Sequence, residues 1–449
     1  MRLDLAACYG QERLPRYTSY PTAPHFSTAI GRQTYAEWLK AIPRHASASL
    51  YLHVPFCREM CWYCGCHTQI ARRDQPVSVY AAALRCELDL VARQIERRVK
   101  VDHIHFGGGT PTIMAPDLFV DLIGAIRHCF LVLPLAEIAV EIDPRVLNGD
   151  TVEALRLGGV TRASLGVQSF DPLVQRAINR VQSFEETARA MARLRQAGIA
   201  GTNFDLIYGL PHQTVASCLD TVERCVALRP DRFSVFGYAH VPSFKKHQRK
   251  IAEASLPDSL ERLDQSDAIA HALKAAGYRQ IGLDHFALPG DAMAVAQREG
   301  RLHRNFQGYT TDVSNVLLGF GASAIGHLPQ GYVQNEVNTR AYCETIARGK
   351  FATVKGYALT DDDRLRAEII ERIMCDFGVN LAPICVRYGS APEALLKSPR
   401  LKELIASGVV ECDGAWLAVR EDSRFLVRSV AAAFDAHLDG SKQLHSRAV

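Results

Sequence analysis

Between residues 50 and 240, short runs rich in β-branched and aromatic residues alternate with longer segments of helical period, and this alternation sets the class of fold. The strand-like runs are LYLHVPF (50–56), VDHIHFGGG (101–109), EIAVEID (137–143), RASLGVQSF (162–170), GTNFDLIYGL (201–210) and RFSVFGYAH (232–240). Between them, Val77, Tyr80, Leu84, Leu88, Val91 and Ile95 recur at three and four residues, as do Val215, Leu219, Val222 and Val226, the spacing of an amphipathic helix. Strands joined by such crossovers pair in parallel. Six units are too many for a small open sheet and fewer than the eight of a closed barrel, so an α/β chain forming an incomplete (β/α)6 TIM-like barrel is expected.

The chain has 449 residues, more than one domain of ordinary size holds. The rhythm changes near residue 330. Helical runs around 338–349 and 361–376 precede LKELIASGVVECDGAWLAVRED, in which Asp413–Gly414 marks a tight hairpin, and a last apolar helical pattern, FLVRSVAAAFDAHL, follows. The expected division is an N-terminal arm (1–49), a barrel carrying the site (50–330) and a smaller, mostly helical C-terminal domain of winged-helix flavour (331–449). No internal repeat or low-complexity tract interrupts it.

Lysine and arginine total 52 against 48 acidic residues, a net charge of +4, which gives no global field of the kind that marks nucleic-acid or membrane-surface binders. The N-terminal MRLDLAACYGQERLPRY has no apolar core of signal-peptide length. The longest apolar stretch, FLVLPLAEIAVEI, is broken by Pro134 and Glu137 and is too short to span a bilayer. A cytoplasmic protein with no nucleic-acid or membrane partner is expected. In that reducing setting the 13 cysteines stay unpaired. Nine of them (Cys8, Cys86, Cys129, Cys218, Cys225, Cys343, Cys375, Cys385 and Cys412) are scattered and read as small buried or half-buried side chains.

The other four stand together as Cys57-x3-Cys61-x2-Cys64-x-Cys66. Structural zinc usually takes two ligand pairs with a longer spacer, and no second pair lies nearby. A redox disulfide would use Cys61 and Cys64 and leave Cys57 and Cys66 unexplained. Three thiolates on one loop suit three irons of a [4Fe–4S] cube and leave the fourth iron open. The loop follows the first predicted strand, where barrel folds keep their active sites; this favours the cluster, with zinc or unligated thiols as the alternatives.

The order of CxxxCxxC after a first strand resembles the radical S-adenosylmethionine (SAM) superfamily. RYTSYPTA (16–23), LYLHVPFCREMCWYCGC (50–66), HFGGGTPT (105–112), VEIDPR (140–145), GVQSF (166–170), NFDLIYGLP (203–211), YAHVP (238–242), AVAQREG (294–300) and HRNFQGYTT (303–311) resemble, more closely, the oxygen-independent coproporphyrinogen III oxidase family, from about residue 15 to the C-terminus. The resemblance implies that Cys57, Cys61 and Cys64 ligate the cluster and that Cys66 does not. It also implies two SAM molecules. Tyr51, Gly108, Glu141, Ala239 and Ile325 would hold the one on the open iron, and Tyr63, Gly109, Thr110, Gln168, Arg180 and Asp205 the second. The residues are chemically apt: glycines after a strand let backbone approach a ligand, and a carboxylate at a strand end accepts from ribose hydroxyls. Singly, Glu141, Gln168 and Asp205 read as solvated strand-end caps; in series on one barrel face they read as a site. Arg180 alone would be an exposed helix-end arginine. Departures are small: Trp62–Tyr63 replace other aromatics, and Gly237 precedes Tyr238 where a relative can have Asn.

The implied activity is the conversion of two propionates of coproporphyrinogen III to vinyl groups, giving protoporphyrinogen IX for haem synthesis without oxygen. An electron from an unidentified donor would cleave SAM and release a 5′-deoxyadenosyl radical. The substrate carries four carboxylates, so Arg16 on the arm and His303, Arg304 and Gln307 in HRNFQGYTT are the candidate contacts. The resemblance also implies a monomer. Haem-trafficking paralogues on the same scaffold, or a radical SAM enzyme that modifies haem, are the alternatives; such paralogues typically lack the RYTSYPT arm and the cysteine matched by Cys66.

Overall fold

A computed structural model of the chain describes Leu5, Tyr9 and residues 12–438; Cys8 and most of the N-terminal stretch read above lie outside the described residues. The six predicted strands form as β1 (Ser47–Val54), β2 (Lys100–Gly108), β3 (Leu131–Ile142), β4 (Arg162–Gln168), β5 (Gly201–Tyr208) and β6 (Arg232–Gly237). Each pairs with the next in parallel. A seventh parallel strand, β7 (Leu317–Phe320), lies on the other side of β1. Antiparallel strands extend both edges, so the sheet has twelve strands in an open order. The stretch read as too broken for a membrane span is β3, and among the described residues no helix is long and apolar enough to cross a membrane.

Residues alternate across each strand, because successive side chains leave opposite faces. Leu50, Leu52 and Val54 of β1, Ile104 and Phe106 of β2, Ile138, Val140 and Ile142 of β3 and Leu165 of β4 join one buried cluster with the surrounding helices. Each fully buried side chain of this size contributes roughly 1.5–3 kcal/mol. The intervening positions are largely polar and line the interior. Helix α1 (Gln75–Ile95) buries Val77, Tyr80, Leu84, Leu88, Val91 and Ile95 as its period predicted. Helix α2 (Val215–Ala227) differs: it buries Cys218, Thr221, Val222 and Cys225 and leaves Leu219 37% exposed. Its capping box, Thr214 with Ser217, starts the helix with its small side chains toward the sheet, which narrows the stripe.

The expected domain boundary at 330/331 falls inside the sheet. Gly331–Asn335 and Thr353–Ala358 are its last two strands on that edge, and Tyr342 of the intervening helix belongs to the barrel core. A separate core begins at Leu365 and runs to Phe434, and it includes Leu14, Tyr17 and Tyr20 of the arm. The reason is that 331–358 spends its apolar residues on the barrel edge, whereas α3 (Asp361–Asp376) starts a new face. The hairpin forms as Val410–Asp413 and Trp416–Val419 with Gly414 in the left-handed region, and Gly378–Asn380 adds a third strand. The final apolar pattern yields only a 3-10 turn, Glu421–Leu426, and a short helix, Val427–Ala432.

One buried polar junction ties α1 to the far edge of the sheet. The Glu87 carboxylate accepts from the Tyr342 hydroxyl at 2.7 Å, the Gly321 N–H at 2.7 Å and Asn335 Nδ2 at 2.6 Å. Replacing Glu87 by Ala strands these three donors and is expected to cost about 3 kcal/mol in urea unfolding, whereas Arg340→Ala, which breaks an exposed pair with Glu344, should cost no more than about 0.5 kcal/mol. Burial raises the Glu87 carboxyl to about 7, so the native chain keeps a proton there that the unfolded chain releases. The stability gap between wild type and Glu87→Ala should therefore narrow as pH rises from about 5 to about 8.

Candidate active site

The interior of the sheet opens into a cavity of about 740 Å³. Its wall follows the period-two pattern: His105 from β2, Glu137, Ala139 and Glu141 from β3, Arg162, Ser164 and Gly166 from β4, Asn203, Asp205 and Ile207 from β5, and Arg232, Ser234 and Phe236 from β6. At the N-terminal ends of these strands the charges cancel: Arg162 donates to Glu137 at 3.0 Å and Arg232 to Asp291 at 2.7 Å. At the C-terminal ends lie the cysteine loop and the glycine turn.

The loop leaves β1 through a two-residue ladder, Phe56–Cys57 beside Gln69–Ile70, which fixes both of its ends. Cys57, Cys61 and Cys64 all face the cavity. Cys57 Sγ accepts from the Thr68 hydroxyl at 3.4 Å and lies 3.5 Å from Thr110 Oγ1. Cys61 Sγ has two guanidiniums beside it, Arg180 at 3.7 Å and Arg145 at 3.9 Å. A hydrogen bond from the exposed Cys66, helped by the Lys245 and Arg180 cations, brings the Cys64 thiol down to about 7. Partners that favour a thiolate thus stand beside all three sulfurs, although at Cys57 burial outweighs the two hydroxyl bonds and pushes the thiol up.

Sulfurs on one tetrahedral zinc at ~2.3 Å stand roughly 3.8 Å apart. Among the described residues, the trio of His, Cys, Asp or Glu ligand atoms all within 4.8 Å of one another is Asp102, His103 and Asp312, and not the cysteines. Their wider spread suits a cluster in which each thiolate binds its own iron.

The glycine turn is a cradle with no room for side chains. A Cβ on Gly107 would stand 2.7 Å from Glu141 Oε1, one on Gly108 2.7 Å from the His53 ring, and one on Gly109 2.5 Å from the Phe56 carbonyl oxygen; Gly108 also has φ +116°. Glu141 accepts from the Gly108 N–H at 2.9 Å and from His105 Nε2 at 3.3 Å. Burial pushes its carboxyl up, but these bonds outweigh it and hold it below the usual range. Arg180 is buried, not exposed as it would be at a lone helix end; it donates to the Gly166 carbonyl at 2.7 Å and pairs with Asp143 at 3.3 Å. Gln168 is buried at φ +68° with its Oε1 unpartnered among the described residues. Asp205 stands inside β5 and not at its end, and accepts from Ser164 Oγ at 3.0 Å and Asn203 Nδ2 at 2.8 Å. Burial and then the Glu141 charge raise it to about 6.

The remaining expected residues separate. Tyr63, Thr110 and Ala239 line the cavity. Tyr51 and Ile325 do not: Tyr51 stacks on His105 with ring centroids 5.9 Å apart and lies opposite Gly319, over which the Ile325 carbonyl packs. Arg16, Arg304 and Gln307 line it. The Arg304 side chain is 4% exposed with its guanidinium 4.3 Å above the Tyr309 ring, and its Nε and Nη1 have no hydrogen-bond partner among the described residues. His303 is turned away. Alternation along His303–Asn305 sends its ring to Glu371 of α3 at 3.2 Å, and Glu371 also accepts from the Arg304 N–H at 3.1 Å. Sequence reading passed over His53, His105, Asp143, Arg145, Asp284 and the inward polar residues of β4 to β6. For His53, His105 and the residues of β4 to β6 the signal was a polar residue at every second position of strands otherwise buried; Asp143, Arg145 and Asp284 lie outside the strands and carried no such signal.

The first part of the chain, residues 51–225, matches the radical SAM superfamily, and residues 359–426 match the HemN C-terminal domain. Over 450 aligned residues the chain is 71% identical to the oxygen-independent coproporphyrinogen III oxidase of Bradyrhizobium diazoefficiens, all of both chains being covered. It is 45% identical to that of Cereibacter sphaeroides over 95% of this chain and 94% of the relative. The solved structure of the Escherichia coli coproporphyrinogen III oxidase, described as a radical SAM enzyme, superposes with a TM-score of 0.90 at 38% identity, covering 95% of this chain and all of that one. The chain belongs to the oxygen-independent coproporphyrinogen III oxidase family. As radical SAM proteins, members of this family carry a [4Fe–4S] cluster and SAM. The residues here fit that pair: a thiol trio spread too widely for one ion, a glycine cradle closed to side chains, and a buried amide oxygen left for a ligand.

The Cys57→Ser, Cys61→Ser and Cys64→Ser chains should each lose bound iron and iron–sulfide absorbance after anaerobic reconstitution, while Cys66→Ser keeps both. Stoichiometric zinc in place of iron, retained in the presence of ferrous ion and sulfide, would contradict this assignment.

Proposed function

We propose that the chain catalyses oxidative decarboxylation of two propionates of coproporphyrinogen III without oxygen, giving protoporphyrinogen IX, and that it does so as a cytoplasmic monomer. The observation that carries this reading is the Arg304 guanidinium, buried on Tyr309 with two N–H edges unpartnered among the described residues, in the same cavity as the three cysteines. A buried cation with free donors is suited to a carboxylate.

Cys57, Cys61 and Cys64 would hold three irons and leave the fourth to SAM. When bound, the cluster and SAM supply one-electron cleavage of the sulfonium and a 5′-deoxyadenosyl radical able to take a hydrogen atom from a propionate β-carbon. Each propionate then gives up one hydrogen atom, one CO₂ and one further electron to become a vinyl group. The work of this chain's residues is placement and charge. Glu141, held ionised by His105 and Gly108, offers acceptors to the cluster-bound SAM together with the Gly108 and Ala239 backbone; Tyr51 and Ile325 act from behind that wall. Tyr63, Gly109, Thr110, Gln168, Arg180 and Asp205 would hold a second SAM. Arg304, with Arg16 and Gln307, anchors substrate carboxylates, and Glu371 steadies Arg304 through its backbone and through His303. Asp284, 3.9 Å from Arg304, keeps its charge because His285 and Arg304 outweigh burial and bring it down to about 2. It holds the guanidinium without using all of its donors.

Reduced, reconstituted protein incubated anaerobically with SAM and coproporphyrinogen III should yield 5′-deoxyadenosine and the divinyl product; a stable haem complex without decarboxylation would favour the haem-handling alternative. Arg304→Ala should raise the substrate KM at least ~10-fold, as expected for loss of a charged hydrogen bond, with SAM binding unchanged. Asp205 ionises near pH 6, and its carboxylate is the better acceptor for ribose hydroxyls. SAM binding at the second site should therefore strengthen as pH rises from about 5 to about 7. In Asp205→Asn that dependence should flatten, as read by equilibrium dialysis with labelled SAM.

A further inference from the structure

The sequence from Val241 to Ala252, VPSFKKHQRKIA, contains four lysines and arginines and no acidic residue. This one segment therefore carries as much positive charge as the formal net of the whole chain, +4. It lies directly on the cysteine loop. Lys245 Nζ donates to the Cys66 carbonyl at 2.9 Å, His247 Nε2 stands 2.7 Å from the Cys64 carbonyl oxygen, and Gln248 Nε2 donates to the Tyr63 carbonyl at 3.0 Å. Lys250 Nζ sits 5.3 Å above the Trp62 ring. The segment is thus bonded to the backbone of the residues that carry and flank the cluster ligands. Its outer side faces solvent: Lys246, Arg249 and Lys250 are exposed, and among them Phe244 is 67% exposed. The loop's own acid, Glu59, is exposed, the adjacent Arg58 pairs with Asp74, and Glu253 just beyond the segment pairs with His240 at 3.4 Å.

Carboxylate binding within the cavity does not account for cations on the outer side. An exposed apolar side chain in a segment of exposed cations is the pattern of a protein docking surface, where charge steers encounter and the apolar side chain supplies contact. We propose that Phe244, Lys246, Arg249 and Lys250 form the docking surface for an acidic, low-potential one-electron carrier protein, placed where the cluster loop reaches the protein surface. The inference rests on the cluster reading above and adds to it the partner's charge and its point of entry. In the step it serves, the carrier is oxidised by one electron and the cluster is reduced by one, with no bond made or broken and no proton moved.

The test uses the reconstituted full chain and a reduced, acidic plant-type [2Fe–2S] ferredoxin, with reoxidation of the ferredoxin followed by stopped flow at low ionic strength. Methyl viologen radical, a small cation that needs no docking surface, is the parallel reductant. The charge-reversed Lys246→Glu/Arg249→Glu chain should accept electrons from ferredoxin roughly 10-fold or more slowly than wild type, and the gap should shrink as salt is raised toward about 0.3 M. Reduction by viologen should stay within about twofold. Phe244→Ser should weaken ferredoxin binding with little change in salt dependence. Binding of labelled ferredoxin to the cluster-free chain, read by anisotropy, should show the same order of variants without any catalytic readout. Equal ferredoxin rates and affinities in wild type and the charge-reversed chain would overturn the proposal, as would tight, charge-dependent binding of RNA or anionic vesicles with none of ferredoxin. A wild-type chain that viologen itself cannot reduce would overturn the cluster reading instead.

Discussion

The structure depends on a single constraint, the two-residue alternation of seven parallel strands that bend around an interior. One set of positions must be apolar to pack under the helices; the other set is shielded from bulk water and must satisfy its own polarity. Leu50, Leu52 and Val54 belong to the first set, and Ser49, Tyr51 and His53 to the second. A one-residue slip of β1 would put Tyr51 and His53 into the apolar layer and Leu52 onto the polar inner face. The positions of Glu141, Asp205 and the glycine turn all inherit this register.

The charge in the cavity is arranged in layers. At the N-terminal ends of the strands, Arg162 and Arg232 are paired with Glu137 and Asp291, so this end holds structure and little field. At the C-terminal ends the pairing is incomplete: Arg180 and Arg145 share Asp143 and still reach Cys61, and Arg304 keeps donors in reserve. Buried donors without partners are costly in a protein interior. Under the proposed function a substrate carboxylate would complete those of Arg304, whereas Arg162 Nη1 and Arg232 Nη2 at the paired end are also without a hydrogen-bond partner among the described residues.

Much of this was legible in the sequence, for physical reasons that can be named. The barrel strands were visible because apolar and β-branched runs end in Gly or Pro, and α1 because its six apolar residues kept a strict helical spacing. The ligand loop was visible because four cysteines in ten residues have few uses. The stripe of α2 was misplaced because Cys218 and Thr221, small and only moderately apolar, took the buried face from Leu219. The domain boundary was placed too early because antiparallel edge strands such as Gly331–Asn335 do not follow the strand–helix rhythm. Arg180 and Arg304 gave no sign of burial, since long cations in loops are usually solvated and only tertiary structure shows what surrounds them. His303 and Arg304 are neighbours in sequence, yet one faces α3 and the other the cavity.

The claim on which the account turns is that Cys57, Cys61 and Cys64 hold three corners of a cluster whose fourth iron is open to SAM. The most direct measurement is electron paramagnetic resonance of the reconstituted, reduced protein before and after SAM is added, without oxygen. The account predicts the signal of a single reduced [4Fe–4S] centre whose g-values shift when SAM binds. A protein with no such signal, or one whose spectrum SAM leaves unchanged, would contradict it.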